Sequence, residues 1–193
     1  MMKRSILFVL MLVLSASCQR RLDGEAFGKW IHDLDNGLHV RKRSGEFLFD
    51  VQYEPSSYVA LKQVISSPGM SYDSALHDTE QLQYYTLMIG LPESTSDFLE
   101  NQVGSPEEKQ QLLYYYSYQF QNDLILEDGG SKLPCVLFHF ERSADMKNSR
   151  TFVLAFENVH ADSREVNLSI QSELFPQLIT IKISKNNIPS LKV

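Results

Sequence analysis

Two cysteines, five histidines and nine tyrosines carry most of the side-chain chemistry open to this chain. Cys135 and His139 invite a nucleophile-and-base reading, since an imidazole beside a thiol is what generates a thiolate near neutral pH. Both lie in "KLPCVLFHFER", which reads as a strand. Four residues along a strand, at about 3.3 Å each, separate them by roughly 13 Å. A working dyad would need a histidine from elsewhere in the fold, and Cys135 is more simply a small buried hydrophobe. No G-x-S-x-G elbow occurs. His32, His39, His77, His139 and His160 form no H-x-x-x-H pair, and no second cysteine near Cys135 completes a zinc pattern. Asp33, Asp35 and Gly37 in "HDLDNG" have the opening spacing of a calcium loop. The later Gly and terminal Glu are missing, because Ser44 holds the twelfth position. A turn closed by its own Asp and Asn side chains accounts for them. Phosphate-cradling glycine motifs are absent, and Gly129-Gly130 belongs to a hairpin turn. No catalytic residue, metal or cofactor is therefore expected.

The tyrosines are the unusual feature. Tyr84, Tyr85, Tyr114, Tyr115, Tyr116 and Tyr118 are six of the nine. Each helical residue turns by about 100°, so three consecutive tyrosines cannot all face inward. Tyrosine joins a large apolar area to a polar tip, which suits contact surfaces. Tyr114, Tyr115 and Tyr118 are thus the candidate binding surface, and packing of a helix on a sheet is the competing account.

The elements that must position these residues follow from pattern. "GSPEEKQQLLYYYSYQFQND" has the clearest helix start, with Ser105 as cap, Pro106 at the first helical position, and Glu107 and Glu108 at the positive end of the dipole. Leu112, Leu113, Tyr116 and Phe120 form its inner stripe. Alternation of Tyr114, Tyr116, Tyr118 and Phe120 competes as a strand signal. "GLHVRKRSGEFLFDVQYEP" reads as a hairpin turning at Arg43–Glu46, with its basic strand exposed or at a sheet edge. Ser56 and Ser57 offer caps to "YVALKQVIS", while "SPGMSYDSALHDTE" reads as loop with one helical turn at most. "LQYYTLMIGLP" is a strand and "STSDFLENQ" a short capped helix. From "DLILE" through "RTFVLAFE" the pattern is an antiparallel meander. Its middle strand (132–142) is apolar on both faces and is expected to be central and covered on both sides. "EVNLSIQ" and "LITIKIS" alternate with one polar face.

The N-terminus is separate from this fold. Lys3 and Arg4 precede an unbroken apolar run, Ile6–Leu14, of nine residues. A membrane-spanning helix needs about 20, whereas this length suits the h-region of an export signal. Ala16, Ser17 and Cys18 follow. This segment resembles the signal of bacterial lipoprotein precursors, with Ser15 standing where leucine is usual and Leu14 one place early. The resemblance covers only the first 20 or so residues. It implies cleavage before Cys18, a diacylglyceryl group on its thiol and acylation of the new amino terminus. Residues 1–17 are then the signal peptide, 18–25 a flexible lipid-anchored tether and 26–193 a single domain. Gln19 after the cysteine implies the outer membrane.

Composition is that of an ordinary globular chain, 43% hydrophobic and 22% charged. Without residues 1–17, two of its 18 basic residues and no acidic one are lost, and the net charge moves from −6 to −8. Acidity of this degree opposes non-specific nucleic-acid binding. The expected fold is α+β, mainly antiparallel sheet with a few helices packed on it, or alternatively a β-sandwich with helical insertions. The expected function is a lipid-anchored cell-envelope protein with a non-catalytic binding or assembly role. The membrane is a partner through the lipid, and an envelope protein is a candidate partner. The alternatives are a domain for a small molecule, glycan or peptide, or an enzyme whose site no motif reveals.

Overall fold

The computed structural model describes residues 21–141 and 147–193. The expected signal peptide and Cys18 lie outside them. The fold is α+β. Strand β1 (Arg21–Leu22) opens the described chain, and the period-two segments then build two antiparallel sheets. Strands β2 (His39–Ser44) and β3 (Phe47–Glu54) form a hairpin through Gly45, whose φ of +58° is readily adopted by glycine. β4 (Leu82–Gly90) pairs with β3 and with β8 (Ser149–Glu157), whose other side takes β7 (Leu137–Glu141). The order is β2-β3-β4-β8-β7, which leaves the basic strand β2 at an edge, as expected. The second sheet runs β10 (Ile179–Ser184), β9 (Glu165–Ile170), β5 (Leu124–Asp128), β6 (Ser131–Pro134).

The sheets face each other. Phe49, Val51, Leu87, Phe152 and Leu154 of one share a continuous core with Leu126, Leu168 and Ile181 of the other. Each is fully or almost fully buried. Burial of one such side chain contributes about 1.5–3 kcal/mol before entropy is charged against it.

The expected central strand at 132–142 does not form. Pro134 has no N–H to extend a ladder, and the chain leaves the four-stranded sheet after it. Cys135 and Val136 cross over, and β7 joins the edge of the other sheet. The two-faced apolar pattern records this change of sheet: Leu133 enters the core from one sheet, Phe138 and Phe140 from the other. Val136 and Leu137 are left exposed.

Helices α1 (Gly24–Ile31), α2 (Ser56–Ser66) and α3 (Tyr72–Thr79) gather where β3 ends and β4 begins. The spacer expected through Glu25 is already structured. Arg21 and Leu22 pair in parallel with Ser190 and Leu191 of β11 (Ser190–Leu191), and Asp23 caps α1 by accepting from the Ala26 N–H at 2.9 Å. The helix α3 stands where loop was expected, because Ser71 caps it by accepting from Ser74 N–H at 3.2 Å. Neither expected serine caps α2, whose preceding residue is Pro55; Ser56 instead donates to the Leu82 carbonyl at 3.5 Å. Phe27, Ile31 and Leu38 form a small second core with Trp30, Tyr58, Ile188 and Leu191, and Tyr53 touches both cores. Helix α4 (Pro106–Tyr114) lies at the other end, where Tyr116, two residues past it, packs against Phe98, Phe140 and Phe152. The sandwich therefore has a helical end and an opposite end.

Candidate functional site

Ser105 caps α4 by accepting from the Glu108 N–H at 3.2 Å, and Glu108 reaches back to accept from Gly104 at 2.7 Å. After Tyr114 the helix widens into a π-helical turn, Tyr115–Gln119, followed by a tight 3₁₀ turn, Phe120–Asp123. Interruptions of this kind are frequent at functional sites. The tyrosines separate by helical geometry rather than by alternation. Tyr116 and Phe120 are fully buried, their ring centroids 5.7 and 5.0 Å from Phe152. Tyr114 and Tyr118 lie together on the outside, ring centroids 5.2 Å apart, each 56% exposed.

Tyr115 points elsewhere. Its hydroxyl donates to the Asp123 carboxylate, and Ser172 Oγ lies 2.5 Å away. A phenol has one proton, so Ser172 is the donor in the second bond. Burial, then the Asp123 carboxylate, push the Tyr115 hydroxyl well above its ordinary pKa, which keeps it a neutral donor. These residues line one wall of a groove of about 820 Å³, completed by the β9–β10 connection with Gln171, Glu173, Gln177 and Leu178. Among the described residues, no Lys, Arg or His lines it. Gln119 also borders a depression of about 590 Å³ beside Tyr114, so the groove and the outer tyrosine pair adjoin. Of the three residues expected from sequence, Tyr115 enters the groove while Tyr114 and Tyr118 stand on the adjoining surface. Asp123, Ser172 and the 171–178 segment carried no motif. Only an accumulation of amides and acids around Pro176 marks them in the sequence.

Two buried polar clusters close the main core. At the groove end, Arg150 bonds Asp97, and both side chains are only 6% exposed. Arg150 also donates to the Lys147 and Ser149 carbonyls at 2.9 Å each. The other Asp97 oxygen accepts from Leu99 and Glu100 N–H at 3.0 and 3.4 Å. Burial alone would raise the Asp97 carboxyl, but Arg150 and these amides outweigh it and hold the pKa below the ordinary value. At the helical end, Asp128 is completely buried. Its Oδ2 accepts from Gln83 at 2.6 Å, and Gln83 accepts in turn from Tyr85 and Lys185, both at 3.0 Å. Lys185 Nζ is 4.0 Å from Asp128 Oδ2, while Asp128 Oδ1 has no hydrogen-bond partner among the described residues. Burial lowers the Lys185 pKa, against the pull of Asp128, and burial pushes Tyr53 up to about 12.

The other chemically suggestive groups are committed to structure. Cys135 donates to the Leu137 carbonyl at 3.0 Å, and burial pushes its thiol up to about 11, opposite to what a nucleophile needs. His39 lies 2.5 Å from Asp50, but its second ring nitrogen faces the His32 carbonyl at 2.8 Å. Both nitrogens are occupied by acceptors, so neither is left to relay a substrate proton. Asp33 accepts from the Asp35 N–H at 3.0 Å in a tight turn. Among the described residues, no group of three or more His, Cys, Asp or Glu is arranged to hold a metal ion, and no helix is long and apolar enough to cross a membrane. The chain matches no family model, no curated protein and no solved structure.

Proposed function

We propose that this is a lipid-anchored cell-envelope protein with a non-catalytic binding role, holding its ligand in the groove between the π-helical turn and the β9–β10 connection. The groove's lining is the observation that carries the reading. Tyr115 is fixed by two hydrogen bonds, amides and carboxylates surround it, and among the described residues no cationic side chain lines the walls. Such a surface offers hydrogen bonds to hydroxyl, amide or amine groups and disfavours anions. Neutral glycans and short uncharged peptides are the ligand classes it suits. Titration calorimetry of the full chain against both, repeated with Tyr115→Phe, tests this. Saturable binding weakened about tenfold by the variant is expected, and no binding in either class would overturn it.

A second reading, assembly with an envelope protein, is favoured by the exposed pair Tyr114 and Tyr118. Cross-linking in intact cells with mass spectrometry should then find one neighbour that is lost in the Tyr114→Ser, Tyr118→Ser variant. Only background neighbours would sink it.

A further inference from the structure

We infer that the helical end of the sandwich lies against the lipid bilayer, with Ile65 and Met70 at the headgroup–acyl boundary and Arg21 and Lys192 facing lipid phosphates, so that the groove is presented away from the membrane. This rests on the reading of Cys18 as the lipid-bearing residue.

Reach makes the first argument. Cys18 is three residues before Arg21, and three residues of chain span at most about 11 Å. Arg21 is already paired with Ser190. A lipid on Cys18 therefore holds the β1–β11 clasp next to the bilayer. The second argument is what surrounds the clasp. A Cβ on Gly24 would come within 2.8 Å of Leu61, so the first turn of α1 touches α2 there. Ile65 is one helical turn beyond Leu61 on the same side, about 6 Å along the axis. It is 72% exposed, and Met70, in the α2–α3 connection, is 38% exposed. Apolar side chains beside a lipid anchor are placed to enter the interface.

Local charge supplies the third, because the clasp repels an anionic surface less than the rest of the chain does. Without residues 1–17 the chain is acidic overall, at −8, so an anionic bilayer repels most of its surface. Arg21 and Lys192 border a depression of about 580 Å³ beside the clasp. Three carboxylates lie nearby and keep their charge: Asp23, which accepts from the Ala26 N–H, Glu25, paired with Lys29 at 2.6 Å, and Asp73, which shares the depression, so the clasp is close to neutral where the chain as a whole is acidic.

Strand register fixes the far side. Ser184 N–H donates to the Gly37 carbonyl near the helices, whereas Gln177 reaches Ser44 at the other end of β2. The 171–178 wall of the groove is thus at the opposite end from the clasp. β10 and β2, six residues each, put roughly 20 Å between the two ends.

The test uses the full-length chain matured in a lipoprotein-processing bacterium and placed in phosphatidylethanolamine–phosphatidylglycerol vesicles. Ile65→Cys or Leu178→Cys, each in a Cys135→Ser background, carries a polarity-sensitive fluorophore, and nitroxide lipids serve as quenchers. Mass spectrometry establishes the lipid on Cys18, and circular dichroism the retained fold. Quenching at position 65 several-fold greater than at 178 is expected. Equal quenching, or more at 178, in lipidated vesicle-bound protein overturns this inference and leaves the anchor standing. A mature chain without lipid on Cys18 overturns the anchor reading, and this inference with it.

Discussion

The two ends of the sandwich solve one problem differently. Each carries a carboxylate and a cation into a protein interior, where an unpaired charge is costly. At the groove end, both Asp97 oxygens are engaged, and the flanking backbone supplies amides to the acid and carbonyls to the arginine. At the helical end, Asp128 keeps one unpartnered oxygen, its lysine stands 4.0 Å away, and a neutral glutamine mediates between them. The difference teaches that backbone geometry, more than the presence of an opposite charge, decides how firmly a buried ion is held. The groove end is a locked junction under a binding surface, while the helical end is a looser polar plug.

The comparison is broken most severely by Arg150→Met, which strands Asp97. Such removals cost about 3–5 kcal/mol, and urea unfolding should register a loss of that size. Lys185→Met should cost about 1–3 kcal/mol in the same assay, because the lost hydrogen bond is to a neutral amide and the acid is farther off. A larger loss for Lys185→Met than for Arg150→Met would reverse the ranking of the two ends. Acid should act on the groove end. The folded Asp97 pKa is depressed, so its stabilisation is complete above the unfolded value of about 3.9 and is lost as pH falls through the lower folded value. Protection from hydrogen exchange at Leu99 and Glu100, relative to the intrinsic rate at each pH, should therefore fall below about pH 4, and this pH dependence should disappear in Asp97→Asn. Smallest of all is Asp128→Asn. Its amide oxygen can still accept from Gln83, and its NH₂ occupies the place of the unpartnered oxygen. A change within about 1 kcal/mol in thermal or urea unfolding is expected, and a loss above about 3 kcal/mol would show that this end is locked as well.

Local signals were legible in the sequence. Ser105, Pro106 and Glu108 marked the start of α4, the alternating residues of β3, β9 and β10 marked strands and their buried faces, and the β-branched and aromatic run of β4 marked a strand. The α+β class followed from those elements. Pro134 was present as a break, but the apolar residues on both sides of it continued one period across two sheets, so one strand was read where there are two. Helix α3 was hidden by the Ser-Pro-Gly before it. The groove and the polar clusters were not legible, because they join distant segments. Tyr115 meets Ser172 across 57 residues, Asp97 meets Arg150 across 53, and Gln83 meets Asp128 across 45. No local periodicity encodes which loops will converge. What the sequence did reveal was an excess of tyrosine, without the π-helical turn that sends Tyr115 one way and Tyr114 and Tyr118 another.

The parallel clasp has a mechanical consequence. Arg21 and Leu22 lie beside Ser190 and Leu191, with one further bond from Lys192 N–H to the Leu22 carbonyl at 2.7 Å. A pull applied ahead of Arg21 would load this short ribbon before it reached α1 or either large sheet. Peeling it would release about 7 Å of slack, at roughly 3.3 Å per residue for its two residues, while the sandwich stayed folded. The clasp would then serve as a shock absorber, giving way early so that the structure behind it is spared.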